Sequence, residues 1–311
     1  MRTGFLRNDG DPKKRKGLVL LSVLLVSLFL LTASTGFALF ARRSVRAFDG
    51  RQRAFTARMV CEASLPAAKA LLELHPGKGH APGDDVFSPR ILGFPEAGVT
   101  VEMTITPLNG RFPLNGIFLP DGRTVRSELA GPWRRLWRRA GAENIEAAVL
   151  DFLDGDGEPR LGGGERDGYL NRPLLSLNEL LFVPGMTADI LYGTETRPGI
   201  APLVTLRSDG KINANTALPE VLALLDGLDG NIAADLVRAR ETRVFTSMED
   251  LSAVPSFPAS ARAQLMNVLS FTSSHFRVSF TVGFADGQKT PLEVILERKG
   301  SAAETVRWEE P

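Results

Sequence analysis

Residues 18–41 constrain this chain more than any other stretch. They read LVLLSVLLVSLFLLTASTGFALFA, with no charge, no proline and a single glycine. A helix needs about 20 apolar residues to cross a bilayer, and this run is long enough. A cleaved secretory signal has an apolar region of only about 7–15 residues, followed by a small-residue cleavage site. Ala38-Leu39-Phe40 is a poor site of that kind. The run therefore reads as a transmembrane helix that stays in the protein, preceded by the basic segment KKRKG, residues 13–17. Charge does not orient it. Arg2, Arg7, Lys13, Lys14, Arg15 and Lys16 precede the run, and Arg42, Arg43, Arg46, Arg51, Arg53 and Arg58 follow it. The positive-inside rule requires an asymmetry that these residues do not supply.

The remainder of the 311 residues suffices for one large or two small soluble domains. A hydrophobic content of 43% supports a sizeable core, and a net charge of +1 exerts no global pull on nucleic acid. Cys61 is the only cysteine, so no intramolecular disulfide can form. Enzyme chemistry finds no support: there is no P-loop, no G-x-S-x-G, no Cys/His pair and no HExxH.

Residues 1–17 read as a polar, unstructured leader. Beyond the apolar run, a helix is expected to continue to Leu74, for a total of about 85 Å at 1.5 Å per residue. Phe48, Phe55, Met59 and Leu65 suggest its apolar stripe, with Gly50 and Pro66 as weak points. A Gly/Pro/Asp-rich loop follows to about Pro95, and His75 and His80 in it read as solvated. Val99, Val101, Met103 and Ile105 alternate with polar residues and predict a strand. Asn109-Gly110 and Asn115-Gly116 signal tight turns. Short helices are expected at 134–140, 144–153, 177–181, 219–225, 233–241, 248–253 and 259–269. Phe276, Val278, Phe280, Val282 and Phe284 share one face of a strand; Asp286-Gly287 is a turn, and Leu292, Val294 and Leu296 form the return strand. Val306 and Trp308 suggest a short edge strand in the tail.

A lone early strand must pair with the late hairpin, because an isolated strand is not stable. The fold class is therefore α+β: a long N-terminal helix on a small antiparallel sheet, interrupted by a large all-α insertion. The expected boundaries are 1–17 leader, 18–41 transmembrane helix, 42–124 first part of the sheet domain, 125–270 insertion and 271–311 C-terminal hairpin. The insertion resembles helix-hairpin-helix or SAM-like repeats, as in SLNELLFVPGMTADIL and INANTALPEVLALLDGLDGNIAADLVRARE. Phosphate-binding hairpins present backbone N–H groups, but Asp226 and Asp229 flank this one and would repel phosphate. They read as packing motifs, and no nucleic acid is expected as a partner.

Asp151, Asp154, Asp156, Glu158, Glu165 and Asp167 crowd a glycine-rich loop. Hard carboxylate oxygens on a flexible loop suit Ca²⁺, which takes six to eight oxygen ligands. The spacing echoes an EF-hand, but Pro159 stands where the turn-making glycine belongs. The residues alone leave two readings, a solvated acidic loop or a calcium loop.

Basic residues, Gly17 and an immediate apolar run resemble a type IV prepilin leader, which a prepilin peptidase cuts after the glycine to leave Leu18 first. Most such proteins carry Glu at the fifth mature position, where this chain has Ser22. Downstream, LDFLDGDGEPRLGG, PLLSLNELLFVPGM and GKINANTALPEVLALL resemble three characteristic segments of the K-type minor pseudopilins of type II secretion systems, which lack that Glu. Phe152 stands where Trp is common. The resemblance covers nearly all of the chain from Lys13. It implies a pilin-like fold and a non-catalytic protein that caps the tip of the pseudopilus and supports export across the outer membrane. It also implies I- and J-type minor pseudopilins and the prepilin peptidase as partners, and a single-pass inner-membrane anchor with a cytoplasmic N-terminus and a periplasmic bulk. It favours calcium, held by Asp154, Asp156, Glu158, Glu165 and Asp167, with Asp151 set apart because it closes an apolar helical run. Two other readings remain: a membrane-anchored, helix-hairpin-helix DNA-binding competence protein, and a minor pilin of a type IV pilus.

Overall fold

The structure is a computed structural model that describes residues 12–75, 77 and 79–309, with side chains placed for 19–75, 77 and 79–308. Helix α1 (Pro12–Leu74) begins earlier than the expected end of an unstructured leader. Proline suits a first helical turn, where its missing N–H has no partner to lose, and Lys and Arg are good helix formers. Residues 1–11 of the expected leader lie outside the described residues, and of Gly17 and Leu18 only the backbone is described. The chain divides into two units at Met59/Val60. In the first, residues 19–40 of α1 are exposed along their length, as an unpartnered apolar helix must be.

The second unit opens with the last part of α1. Here the apolar stripe differs from expectation. Val60, Cys61, Ser64, Ala68 and Leu72 are buried on one face, while Met59 is exposed. Spacings of three and four residues put them in line, and their mostly small side chains let the helix approach a sheet closely. Pro66 lies within the continuous helix on the other side.

The sheet has five antiparallel strands in the order β1 (Arg90–Phe94), β2 (Val99–Pro107), β7 (His275–Phe284), β8 (Lys289–Lys299) and β9 (Ala302–Glu309). Val101 faces Val282, Met103 faces Phe280 and Ile105 faces Val278, which in turn faces Val294. The pairing of the early strand with the late hairpin is thus as expected, and the last part of α1, from Val60 onward, packs on the apolar face so formed, with Glu73 accepting from the Ala303 N–H of β9 at 3.0 Å. Strand β1 occupies residues expected to be loop. Ile91 is 76% exposed while its neighbours are half-buried, the weak alternation of an edge strand.

Between β2 and β7 lies the helical insertion: α2 (Ser127–Ala140), α3 (Glu146–Leu153), α4 (Ala188–Tyr192), α5 (Pro219–Leu222), α6 (Gly230–Thr242), α7 (Met248–Ser252) and α8 (Arg262–Leu265), with short 3-10 turns. Two parallel two-stranded pairings tie it together, β3 (Phe112–Pro113) with β4 (Val204–Thr205) and β5 (Ile212–Asn213) with β6 (Leu269–Ser270). Helix α2 starts seven residues before the expected helix at 134, because Gly131 and Pro132 are accommodated in its first turns. It buries Leu129, Trp133, Leu136, Trp137 and Ala140 and exposes arginines on the opposite face. Trp133 and Trp137 meet edge to face, 5.5 Å between centroids, and anchor the insertion's core. The expected helix at 259–269 stops at Leu265, since Leu269 is taken into β6.

Candidate functional site

The acidic loop leaves the C-terminus of α3. Asp151 and Asp154 are both fully buried, an arrangement that two carboxylates tolerate only with compensation. Arg160 supplies it: Nη1 lies 3.2 Å from Asp151 Oδ1 and also pairs with Asp154. The same guanidinium donates from Nη2 to the Arg123 carbonyl at 2.6 Å and sits 5.4 Å from the centroid of the Phe118 ring. Asp151 further accepts from the backbone N–H of Arg160 at 3.2 Å and of Gly164 at 2.8 Å. Asp151, set apart on sequence, is therefore the residue on which the loop folds back. Gly163 passes so close that a Cβ there would run into the Asp151 carboxylate.

The five candidate ligands are held differently. Asp154 is buried, and its Oδ1 has no hydrogen-bond partner. Asp156 accepts from the Glu158 N–H at 3.0 Å and faces Arg123 Nε at 3.4 Å. Arg123 lies far back in the sequence, outside the acidic loop. The carboxylates of Glu158 and Asp167 belong to exposed residues. Glu165 is half-buried and its Oε1 lacks a donor. Burial first, then the charges of Asp151 and Asp156, raise its carboxyl above the usual range. Among the described residues no three Asp, Glu, His or Cys side chains converge as a ready ion cage. The donor chemistry nevertheless fits a hard cation. Two buried carboxylate oxygens have no donor, and one of those carboxylates is held against the charge of its neighbours.

A second cluster joins the insertion to the sheet, and sequence reasoning did not find it. Asn109, expected only to mark a turn, is fully buried. Its amide donates to Asp209 at 2.8 Å and to Ser274 Oγ at 3.1 Å, and its carbonyl accepts from the His275 N–H at 3.0 Å. Asn213 bridges the His80 carbonyl and Ser273 Oγ, at 3.1 and 3.0 Å. Asn215 donates to the Phe245 carbonyl at 2.8 Å. Contrary to the expectation of a solvated residue, His80 is 1% exposed. Its ring packs 5.3 Å from Phe276 and 4.6 Å from His75, and its Nδ1 accepts from the Ser273 N–H at 2.7 Å. The loop that carries it is pinned by the Arg298 side chain, which donates to the His75 carbonyl at 2.9 Å.

The hairpin before α6 is closed to phosphate. Asp229 caps α6, accepting from the N–H groups of Asn231 and Ile232 at 2.9 Å, the amides a phosphate would need. Asp226 pairs with Arg135 of α2. In the first unit, α1 is long and apolar enough to cross a membrane, with a mean hydropathy of 2.2 in its most apolar window and none of that window buried.

A long N-terminal helix, an antiparallel sheet and a large helical insertion make a pilin-like fold. A crystal structure of the GspK-GspI-GspJ complex from the enterotoxigenic Escherichia coli type 2 secretion system contains a chain of this fold. The likeness has a TM-score of 0.62 at 19% identity and covers 84% of this chain and 99% of that one. The family model for type II secretion system protein K matches residues 212–272, the stretch that carries Asn213, Asn215 and α6. Type II secretion system protein K of Dickeya chrysanthemi is 27% identical over 157 residues, 47% of this chain and 43% of that protein. The protein of the same name from Pseudomonas aeruginosa is 29% identical over 171 residues, 50% of this chain and 49% of the relative. That of Klebsiella pneumoniae is 29% identical over 205 residues, 58% and 60% respectively. The chain thus spans about half the length of the curated relatives it matches. It is a homologue of type II secretion system protein K.

Proposed function

We propose that this chain is a minor pseudopilin that caps the tip of a type II secretion pseudopilus and supports protein export across the outer membrane. The likeness to a chain of the GspK-GspI-GspJ complex carries this reading, with the protein K segment at residues 212–272 beside it. The I- and J-type minor pseudopilins are the proposed partners. The inner membrane holds the apolar part of α1, with the N-terminus in the cytoplasm and the bulk in the periplasm. Two features fit a terminal subunit. Ser22 offers no carboxylate at the fifth position after Gly17, where a filament subunit would pair with its neighbour's amine; its hydroxyl donates instead to the Val19 carbonyl at 3.0 Å. The insertion adds bulk that would obstruct stacking if repeated along a filament. The test is co-purification: the tagged full-length chain in detergent should retain the I- and J-type pseudopilins of its own system, and deletion should abolish secretion. Failure to retain either would sink the assignment.

Processing follows from the same reading. Cleavage is expected between Gly17 and Leu18 by a prepilin peptidase. N-terminal sequencing of membrane-extracted protein should return Leu18 first, and Gly17→Ala should leave mostly uncut precursor. Recovery of residue 1 in a host with an active peptidase would overturn it.

Calcium is proposed for the acidic loop, held by Asp154, Asp156, Glu158, Glu165 and Asp167. Bound there, it supplies the positive charge that Arg160 and Arg123 supply only in part. Extracytoplasmic calcium modules bind at about 10⁻⁴–10⁻³ M, so ~10 mM calcium should add about 1–3 kcal/mol of stability. Thermal unfolding in calcium and in chelator reads this as a rise of several degrees. Asp156→Ala should remove the rise. Asp250→Ala, which breaks the α7 capping box, should lower stability but keep the calcium response. A midpoint unmoved by calcium, with no metal found by elemental analysis, would refute the site.

A further inference from the structure

A cleft of about 420 Å³ lies between the outer face of the sheet and the insertion. Its floor is a row across three strands, Arg277 of β7, Ile295 of β8 and Arg307 of β9, which are cross-strand partners in register. Arg111 and Arg207 line it as well, so four arginines line one cleft, and no Asp or Glu is among the lining residues. Two of the four are engaged: Arg277 faces Glu293 at 3.2 Å, and Arg307 donates to the Leu175 carbonyl at 3.1 Å. Arg111 and Arg207 make no side-chain hydrogen bond or ion pair with any described residue. Burial, and then the charge of Arg277, lower the pKa of Arg111, which marks a cation placed where the fold itself does not favour one. Unpaired guanidinium groups that line one cleft are suited to carboxylates, since each presents a fork of donors that matches the two oxygens.

The remaining walls decide which anion. Trp308, Leu108, Leu177 and Ile295 give the cleft apolar surface, and Leu175 and Tyr192 extend it at the rim, each about half exposed. Arg, Tyr and Trp beside apolar side chains are the composition of a protein-interface hot spot. A free inorganic anion would leave most of that surface uncovered. A peptide that alternates acidic and apolar side chains would cover it.

We infer that this cleft docks an acidic, partly apolar peptide segment of a protein partner, with its carboxylates on Arg111 and Arg207. The site stands independently of the secretion assignment, because it rests on charge and shape alone.

The experiment uses the full-length chain in detergent. A fluorescent peptide alternating Glu and Leu is titrated by anisotropy, beside its counterpart with Gln for every Glu. The Glu peptide should bind about tenfold tighter, with an advantage that shrinks in salt. Arg111→Gln with Arg207→Gln should remove that preference, whereas Arg238→Gln, on α6 and paired with Asp235, should not. Arg207→Gln alone should weaken binding too, which keeps the test decisive if the double variant folds poorly. Arg111→Gln should leave the unfolding midpoint unchanged or raise it, since it removes a disfavoured charge; a purely structural arginine would lower it. Equal affinity for the two peptides overturns the inference. So does displacement of the Glu peptide by an equal concentration of inorganic phosphate or by vesicles of anionic lipid, which would make the cleft a general anion or headgroup site.

Discussion

Arg160→Ala is expected to lower the unfolding free energy by about 3–5 kcal/mol, the range for breaking a buried ion pair from one side. The size follows from what remains. Asp151 and Asp154 would both stay buried, and without Arg160 they must repel each other, take up a proton or be exposed by melting of the loop. The two N–H groups that Asp151 accepts orient it but do not neutralise it. Arg160→Lys should recover part of the loss, since an ammonium carries the charge but not the fork that reaches both carboxylates and the Arg123 carbonyl. Denaturant unfolding followed through Trp133 and Trp137 measures it, because both are buried in the core of the insertion. Calcium sharpens the outcome. If the loop binds it, the Ala variant should gain more from calcium than the parent does, because the cation then meets uncompensated carboxylates. A loss below about 1 kcal/mol, the level of an exposed pair, would show that the loop simply opens to water.

The parts of this fold that were legible in sequence are those with local periodicity. Phe276 to Phe284 alternate, and they form β7; Val99 to Ile105 alternate, and they form β2. The buried face of α1 was misread, because Phe48, Phe55 and Met59 are larger than Ser64 and Ala68 and weigh more in any hydrophobic pattern. Close helix–sheet packing selects small residues instead. Within the acidic loop the composition was visible but the hierarchy was not. Asp151 looked like the end of a helix, and nothing local shows that its partners arrive from Arg160 and Gly164. Arg123, which faces Asp156, is farther still. His80 is the extreme case. The residues that bury it are Phe276, Ser273 and Arg298, from the far end of the chain, so a histidine in a Gly/Pro-rich segment carries no local sign of burial. Asn109 and Asn213 were hidden for the same reason, each having its partners across the junction.

That buried histidine sets the second large effect. Stability is expected to fall by about 3 kcal/mol between pH 6.5 and pH 4 from His80 alone. Burial, then the neighbouring charges of His75 and Arg298, lower its pKa from 6.5 to about 4. The unfolded chain therefore binds a proton in this window that the folded chain does not, and linkage makes folding less favourable as pH drops. The contribution is intact above 6.5, declines through the window and levels off below about 4, where both states are protonated. The difference in pKa converts at about 1.4 kcal/mol per pH unit. His275, lowered chiefly by its own burial, adds to the loss in the same direction. Carboxylates with depressed pKa values act lower down: Asp121, at about 2 through its bonds with Thr124 and Arg123, withdraws its contribution only below the histidine window. Glu165 opposes the trend weakly, since a raised carboxyl gains its proton more readily when folded. His80→Gln separates these effects. Its carbonyl can still accept the Ser273 N–H, and it does not titrate. The variant's stability should decline far less from pH 6.5 to 4 than the parent's, whatever its value at neutral pH. Parallel curves for the two proteins would mean that His80 becomes charged in place and that the junction between the insertion and the sheet accepts the proton.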